Sequence, residues 1–184
     1  KGSLLPFLIY TLLMSKLFDL QNKNVLLTGA SKGMGLAMAQ GLVNHGANVV
    51  ISSRKLDQCQ KAIENINESI GQEKAFAFSC NASSKDELNA LVDFSISKLG
   101  SITTLVCNAG VNSFFGSMSE IDDESYDKTM DTNVKSNHWL INMVTPSMKE
   151  SGGGSVMITS SIAAFHASET LGTYSISKLA VLGL

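Results

Sequence analysis

The sequence has little proline, little cysteine and little charge for its length. Its 184 residues include two prolines and three cysteines, and charged residues make up 16%, against about 25% in an average domain. The formal net charge is −2 and the pI is near 5.9, which argues against a protein that binds nucleic acid through bulk positive charge. Apolar residues make up 44%, so intrinsic disorder is excluded. The length predicts one domain with a sizeable core.

The cysteines are too few and too widely spaced to cross-link the chain. Cys59, Cys80 and Cys107 form no CxxC pair and no Cys/His cluster, so we expect neither a disulfide framework nor a metal site. An odd number of scattered cysteines is typical of a reducing intracellular compartment. The sequence therefore predicts a cytoplasmic protein.

The two ends of the chain differ from the rest. Residues 4–14 are almost all apolar (LLPFLIYTLLM), but eleven residues are too few to cross a bilayer core, which needs about 20. An alternative is the apolar part of a signal peptide, although no small-residue cleavage site follows it. We favour Met14 as the natural start, so that residues 1–13 are a non-native or leader extension and 14–184 the domain. The chain stops at Leu184 inside a helix-like stretch, which predicts a fragment.

From residue 24 onward, short apolar runs alternate with segments of helical spacing. The predicted strands are 24–28, 48–52, 75–79, 103–107 and 155–159, and the predicted helices are 33–45, 55–70, 84–99, 123–149 and one from about 172. This alternation indicates βαβ units, and hence an α/β fold: a Rossmann-type, doubly wound parallel sheet with helices on both faces and its last strands missing. Ligands bind such sheets outside the carboxyl ends of the strands.

Two of the predicted helices have more specific patterns. Ser84 followed by Glu87 predicts a capping box at the start of the third helix. The first helix has apolar positions at helical spacing: Met34, Ala37, Met38, Gly41 and Leu42.

A glycine-rich loop, TGASKGMG, joins the first strand to the first helix. Its glycines permit a tight turn and a close approach to a phosphate, while the helix start offers free amides and a partial positive charge. The spacing is GxxxGxG rather than the common GxGxxG fingerprint, but its place between strand and helix favours a dinucleotide site over a packing turn. The predicted cofactor-binding residues here are Gly29, Ser31, Lys32, Gly33, Met34 and Gly35.

Basic rather than acidic residues follow the second strand, in the run Ser52-Ser53-Arg54-Lys55. An acidic residue at this position bonds the ribose 2′-hydroxyl of NAD, whereas an arginine accommodates the 2′-phosphate of NADP. We therefore predict NADP(H), with Arg54 as the main phosphate partner because its planar fork of donors suits phosphate, assisted by Lys32 and Ser53. The alternative is that Arg54 and Lys55 simply begin a solvated helix.

A tyrosine and a lysine lie four residues apart near the end of the chain. Tyr174 and Lys178 share one face of a predicted helix, where the ammonium favours the phenolate and so suits the tyrosine to proton transfer. Ser161 lies 13 residues upstream, at the carboxyl end of the fifth strand, where a hydroxyl can bond a substrate carbonyl. Asn133 lies in the long helix, and its spacing alone does not distinguish it from an exposed helical amide.

Five ordered motifs across residues 24–184 resemble those of the short-chain dehydrogenase/reductase family. They are TGASKGMG, CNAG, the Asn133 segment TNVK, the Ser161–Tyr174 spacing and YSISK. More narrowly, VVISSRK, VNSFFGS and GGGSVMITSSIAAF resemble the NADP-dependent carbonyl and retinal reductase branch of that family, which is often peroxisomal. The chain would then be peroxisomal if its missing C-terminus holds a targeting tripeptide.

The resemblance implies a division of labour among four catalytic residues. Tyr174 donates a proton to a carbonyl oxygen during reduction, and Lys178 favours its phenolate and bonds the nicotinamide ribose. Ser161 positions and polarises the carbonyl, while Asn133 holds a water in the proton relay and distorts its helix locally. The hydride chemistry belongs to the cofactor.

The resemblance also implies further binding residues. Those for the cofactor follow the third and fourth strands: Asn81, Ala82, Asn108, Ala109 and Gly110. Those for the substrate are Ser161, Phe165 and Tyr174, and an apolar pocket is lined by Phe114, Phe115, Phe165 and His166, for which core packing is an equal alternative.

Two residues depart from the family pattern. Asn81 stands where the family usually has Asp near the adenine, and an amide can still bond the ring. Cys107 replaces the first Asn of NNAG, and we interpret it as strand packing rather than a nucleophile.

The resulting prediction is an NADP-dependent enzyme acting on CH–OH groups, which interconverts a carbonyl and an alcohol. Its expected partner is a small, apolar substrate, without nucleic acid, and the resemblance implies a homotetramer formed through helices that include 123–149. Three alternatives stay open: a 3-oxoacyl-thioester reductase of fatty-acid synthesis, a non-catalytic dinucleotide-binding or redox-sensing module, and an inactive product of a truncated transcript.

Overall fold

Five parallel strands form one sheet in the computed structural model, which describes residues 17–184. The strands lie in the order β3-β2-β1-β4-β5, so the chain reverses its direction of winding between β1 and β4. Their bounds are β1 Asn24–Thr28, β2 Asn48–Ser53, β3 Ala75–Ser79, β4 Thr104–Cys107 and β5 Ser155–Ile158. The predicted start at Met14 and the apolar segment before it lie outside the described residues.

Helices connect the strands on both faces of the sheet, as predicted. They are α1 Gly33–Asn44, α2 Leu56–Ile70, α3 Lys85–Leu99, α4 Asp123–Met130, α5 Ser136–Glu150 and α6 Gly172–Ala180. Two short 3₁₀ helices, Ile162–Phe165 and Val181–Gly183, flank α6.

Alternate residues of the central strands face opposite layers of the core. On β1, Val25 and Leu27 pack with residues of α1 and α2, whereas Leu26 packs with residues of α3 and α5. On β2, Ile51 and Val50 divide in the same way, and all of these side chains are buried. The prediction of parallel strands buried on both faces is therefore confirmed for β1, β2 and β4. It is wrong for β5, where Val156 and Met157 are exposed.

The first helix is confirmed, and Met38 and Leu42 of its apolar positions pack against the core. The buried residues are Gly35, Ala39 and Val43, whereas Met34 is 69% exposed. A Cβ atom on Gly35 would overlap with the carbonyl oxygen of Gly29. Gly35 therefore packs against the glycine loop with no room for a side chain.

The start of α3 forms half of the predicted capping box. Ser84 Oγ accepts a hydrogen bond from the Glu87 N–H at 3.3 Å. The Glu87 carboxylate does not return to Ser84; it accepts the Asn81 N–H at 2.7 Å. Glu87 thus shapes the loop that follows β3.

The predicted helix 123–149 is interrupted by a π-helical turn, Asp131–Lys135, between α4 and α5. At this turn the Ser136 N–H donates to the Asp131 carbonyl, five residues back, rather than four as in an α-helix. The local distortion that the family resemblance implied at Asn133 is present at that residue.

Candidate active site

Asn108 joins the carboxyl ends of three strands. Its Nδ2 donates to the Gly29 carbonyl at 2.8 Å and to the Thr28 carbonyl at 3.2 Å, at the end of β1. Its Oδ1 accepts the Thr159 hydroxyl at 3.3 Å, at the end of β5. Thr28 Oγ1 in turn accepts the Ala109 N–H at 3.1 Å. The Asn108 side chain therefore holds together the strand ends at which the loops of the site begin.

The glycine loop leaves no room for side chains at two positions. Gly29 has φ +66°, and a Cβ atom there would lie 2.7 Å from Ala109 Cα; at Gly35 the Gly29 carbonyl oxygen occupies that space. At Gly33, φ is +58° and the space beyond it is open. The first turn of α1 contains no acidic residue, so its N-terminal amides and partial positive charge suit an anion. This cradle fits the pyrophosphate of a dinucleotide.

The end of β2 lies beside the glycine loop and presents cations. The Ala30 N–H donates to the Ser52 carbonyl at 3.1 Å, which ties the two segments together. Arg54 is exposed, as is Lys32 in the loop. Ser53 Oγ lies 3.1 Å from Cys59 Sγ, so its hydroxyl is held against α2.

The loop after β3 reaches both the end of β2 and the π turn. The Cys80 N–H donates to the Ser53 carbonyl at 2.9 Å, and the exposed Asn81 accepts the Ser83 N–H through its Oδ1 at 3.2 Å. The Ser83 hydroxyl bonds the Thr132 hydroxyl at 2.7 Å. The loop that contains Asn81 and Ala82 is thus attached to the π turn that contains Asn133, although about 50 residues of sequence separate them.

Tyr174 and Lys178 lie on one face of α6. Lys178 Nζ is 5.7 Å from the centroid of the Tyr174 ring and donates to the Thr159 carbonyl at 2.7 Å. The lysine is only 4% exposed, and this burial lowers the pKa of Lys178 below its ordinary value of 10.5.

Asn133 is fully buried and joins the loop after β4 to α6. Its Oδ1 accepts the Val111 N–H at 2.8 Å, and its Nδ2 donates to the Val111 carbonyl at 2.8 Å and to Ser177 Oγ at 2.9 Å. The Ser177 hydroxyl donates to the Tyr174 carbonyl at 2.7 Å. The alternative of an ordinary exposed amide is therefore wrong.

Gly110 lies beside two buried polar side chains, those of Lys178 and Asn133. A Cβ atom on Gly110 would be 3.3 Å from Lys178 Nζ and 3.4 Å from Asn133 Oδ1. The Gly110 backbone therefore lies directly against the groups that the sequence predicted as catalytic.

Ser161 follows β5 and begins the 3₁₀ helix that packs against α6. Its Oγ accepts the Ala163 N–H at 3.2 Å. Phe165 is 69% exposed and Phe115 is 72% exposed, so core packing is wrong for these two aromatics. The ring of Phe114 lies over Gly116 instead, and His166 is exposed.

The structure supports packing, rather than nucleophilic chemistry, for Cys107. The side chain is 1% exposed in β4, and burial raises the pKa of the Cys107 thiol to about 12. A thiol of this kind stays protonated at neutral pH, and the thiolate is the nucleophile.

Sequence reasoning missed several polar residues that position the site: Thr28, Ser83, Thr132, Asn137, Thr159 and Ser177. A threonine at the end of an apolar strand, as at residues 28 and 159, is a usable sign of a bonded hydroxyl. The Ser83–Thr132 bond has no such sign, because it joins loops that only the tertiary fold brings together.

Within residues 17–184, no three His, Cys, Asp or Glu side chains are grouped to hold a metal ion. None of the helices in this range is both long and apolar enough to cross a bilayer.

The model of a family described as short chain dehydrogenase matches residues 23–184. The chain is 39% identical to human "Dehydrogenase/reductase SDR family member 4", over 93% of this chain and 61% of that protein. It is 34% identical to the protein of the same name from Caenorhabditis elegans, over 89% of this chain and 63% of that protein. The chain thus spans about three fifths of the length of these curated relatives.

Solved structures share the fold. A 7α-hydroxysteroid dehydrogenase, complexed with NADH and 7-oxo glycochenodeoxycholic acid, is 34% identical to this chain with a TM-score of 0.84. The match covers 89% of this chain and 62% of that one. A short-chain type dehydrogenase/reductase from Mycobacterium marinum is 30% identical with a TM-score of 0.84, and covers 91% of this chain and 68% of its own.

Proposed function

The chain belongs to the short-chain dehydrogenase/reductase family, and with that as the premise we propose that it is an NADP-dependent oxidoreductase interconverting a carbonyl and an alcohol. The observation that carries the proposal is the buried Lys178 beside the Tyr174 ring. The Tyr174 carbonyl is in turn connected through the Ser177 hydroxyl to the Asn133 side chain. A module that only bound a dinucleotide would need no proton donor, so this arrangement favours an enzyme.

The residues present fit a nicotinamide dinucleotide, which supplies or accepts the hydride when bound. The glycine loop and the first turn of α1 would hold the pyrophosphate, because both are free of obstructing side chains and acidic groups. Asn81 and Ala82 would contact the adenine end, and the backbone from Asn108 to Gly110 would contact the nicotinamide end.

Proton transfer is assigned to Tyr174. Its hydroxyl donates a proton to the carbonyl oxygen in reduction and accepts one in oxidation. The Lys178 ammonium favours the phenolate, and its buried position makes this electrostatic effect stronger than in water. Ser161 binds the carbonyl oxygen, and Asn133 holds the water that returns a proton to the site.

The preference for NADP rests on charge. The segment after β2 has exposed Arg54 and Lys55 and no acid, and the exposed Lys32 is on the adjacent loop. An arginine there pairs a 2′-phosphate through two parallel hydrogen bonds. The 7α-hydroxysteroid dehydrogenase was solved with NADH, so cofactor choice must be measured for this chain.

The substrate is proposed to be a small apolar carbonyl compound. The exposed rings of Phe115 and Phe165 lie on the loop after β4 and on the 3₁₀ helix that packs against α6. The first of these loops is tied to the chain just before α6, because the Gly116 N–H donates to the Thr170 carbonyl at 3.1 Å. Both rings therefore lie on segments attached to the helix of Tyr174.

The test is oxidation of NADPH and NADH, followed by absorbance, with retinal, an aromatic diketone and an acetoacetyl thioester. We expect NADPH-dependent turnover of the apolar carbonyls that is lost in Tyr174→Phe and kept in Tyr126→Phe, which removes the hydroxyl of an exposed tyrosine on α4. Turnover of the thioester alone would indicate fatty-acid synthesis. Binding of NADPH without any turnover would instead favour the binding module.

Cofactor choice is tested separately with Arg54→Asp. We expect the preference for NADPH over NADH to fall about tenfold or more, the loss of a charge-assisted hydrogen bond. Lys61→Asp makes the same charge change at an exposed position on α2 and should leave the preference unchanged. An unchanged preference in Arg54→Asp would make the phosphate assignment wrong. The homotetramer, the location and the truncation stay predictions.

A further inference from the structure

Asn137 is a buried amide in the first turn of α5 that sequence reasoning gave no role. Its side chain is 3% exposed. Its Nδ2 donates to the backbone carbonyl of Asn133 at 2.7 Å. Its Oδ1 lies 3.4 Å from Ser136 Oγ, whose hydroxyl donates to the Thr132 carbonyl at 2.6 Å. The amide therefore bonds a proposed catalytic residue directly through its Nδ2.

The π turn explains why that carbonyl receives a side-chain donor. Since the Ser136 N–H bonds the Asp131 carbonyl five residues back, the regular four-residue ladder is shifted here. The two carbonyls that follow accept side-chain donors from residues four positions later: Thr132 accepts Ser136 Oγ at 2.6 Å, and Asn133 accepts Asn137 Nδ2. These side chains compensate for the altered backbone ladder.

The bond at Asn133 has consequences beyond the turn. The Asn133 side chain bonds Val111 after β4 and Ser177 on α6, and Ser177 bonds the Tyr174 carbonyl. A continuous chain of hydrogen bonds thus runs from Asn137 through Asn133 and Ser177 to the backbone of Tyr174.

We propose that Asn137 is a positioning residue for the reaction, because it holds the Asn133 carbonyl and thereby fixes Asn133 and the helix of Tyr174 relative to each other. The role in the reaction rests on the proposed function of the site. The role in fixing Asn133 does not, and it can be measured without turnover.

Ser136 provides a matched control. It is adjacent to Asn137, is 1% exposed and donates to the neighbouring shifted carbonyl. That carbonyl belongs to Thr132, whose side chain bonds Ser83 and not α6. Asn137→Leu removes the donor and keeps the number and branching of the side-chain heavy atoms. Ser136→Ala removes a donor from the same turn that does not bond Asn133.

The first readout is amide hydrogen exchange of Val111 in the purified protein without cofactor, because the Asn133 Oδ1 accepts that N–H. We expect exchange of this amide to rise about tenfold in Asn137→Leu, the effect of losing one buried hydrogen bond, and to stay near wild type in Ser136→Ala. Unchanged exchange in Asn137→Leu, or an equal rise in both variants, would overturn the proposal. Asn137→Ala replaces the leucine variant if that one does not fold.

The second readout is steady-state kinetics with NADPH and a reactive aromatic diketone. We expect kcat of Asn137→Leu to fall about tenfold while the KM for NADPH stays within about twofold, because the hydrogen bonds of the Asn137 side chain involve no residue of the glycine loop. An increase in Val111 exchange with unchanged kcat would refute the role in the reaction. A wild-type protein without turnover would refute the proposed function, and the exchange comparison would still decide whether Asn137 fixes Asn133.

Discussion

At the scale of single residues, Gly35 determines whether the cofactor cradle can form. A methyl group there would overlap with the Gly29 carbonyl oxygen. We expect Gly35→Ala to destabilise the protein by about 1–3 kcal/mol, as overpacking does, and to weaken NADPH binding, as measured by denaturant unfolding and fluorescence titration.

Gly41 is the matched control on the same helix, because apart from the backbone around it no atom lies within 4 Å of a Cβ placed there. Gly41→Ala should stabilise the protein by up to about 1 kcal/mol through helix propensity. If the two substitutions changed the stability equally, the tight packing around Gly35 would not be the reason that a glycine is needed there.

Lys178 gives a prediction on pH, since burial lowers its pKa below 10.5. Between that lowered pKa and 10.5, the unfolded chain binds a proton on Lys178 that the folded chain does not. The free energy of unfolding of the wild type should therefore rise with pH in this window, relative to Lys178→Met. Below the lowered pKa both states are protonated, and the difference should be flat.

The measurement is urea unfolding of both proteins from neutral pH upward. The exposed Lys61→Met variant controls for removal of one lysine charge. A wild-type stability that fell with pH relative to Lys178→Met would contradict a lowered pKa for the buried lysine.

At the scale of elements, the start of α6 depends on its contact with Met118, which lies in the loop after β4. A Cβ atom on Gly172 would overlap with the Met118 side chain, whose Sδ also accepts the Thr173 hydroxyl at 3.4 Å. Gly172→Ala should therefore displace Met118 and destabilise the protein. The cost should be smaller in the Met118→Ala background, with a coupling energy of about 1 kcal/mol measured by thermal unfolding of all four proteins.

Additivity of the two substitutions within about 0.5 kcal/mol would show that the two side chains do not act on each other. A second result would be equally informative. A Gly172→Ala variant as stable as the wild type would mean that Met118 moves aside at no cost.

The strands and helices were predictable because their signals are local and repeated. An apolar run such as Asn24–Thr28 must be buried on both faces, and glycine ends α2 and α3 at Gly71 and Gly100. The burial of Gly35 in α1 was not predictable, since it depends on a contact with the glycine loop. A local distortion of the helix at Asn133 was expected only from the family resemblance, and its form as a π turn became evident only in the structure.

The residues of the site also divide into those that local sequence signals predict and those that depend on tertiary contacts. Its candidate residues were found because each follows a strand or occupies a motif, as Ser161 and Tyr174 do. The groups that support them, such as Asn137 and Ser177, act through bonds between distant elements. Their polar side chains are ordinary helix residues in the sequence, so their burial became evident only in the fold.

At the scale of the whole molecule, the three cysteines are distributed over both layers of the core. Cys59 lies in the cluster of α1 and α2, whereas Cys80 and Cys107 lie in the cluster of α3 and α5. All three are buried, and burial raises the pKa of each thiol. Reaction with a thiol reagent at neutral pH should therefore require opening of the fold.

The proposed cofactor would bind across β1, β2 and β4, whose strands contribute to both clusters. Its binding should therefore stabilise the two layers together. With NADPH at about a hundred times its Kd, labelling of all three cysteines should slow about a hundredfold if it proceeds through unfolding. Mass spectrometry of each cysteine over time gives the three rates. Slowing confined to Cys59 would mean that the layers open independently and that the cofactor stabilises only the layer of α1 and α2.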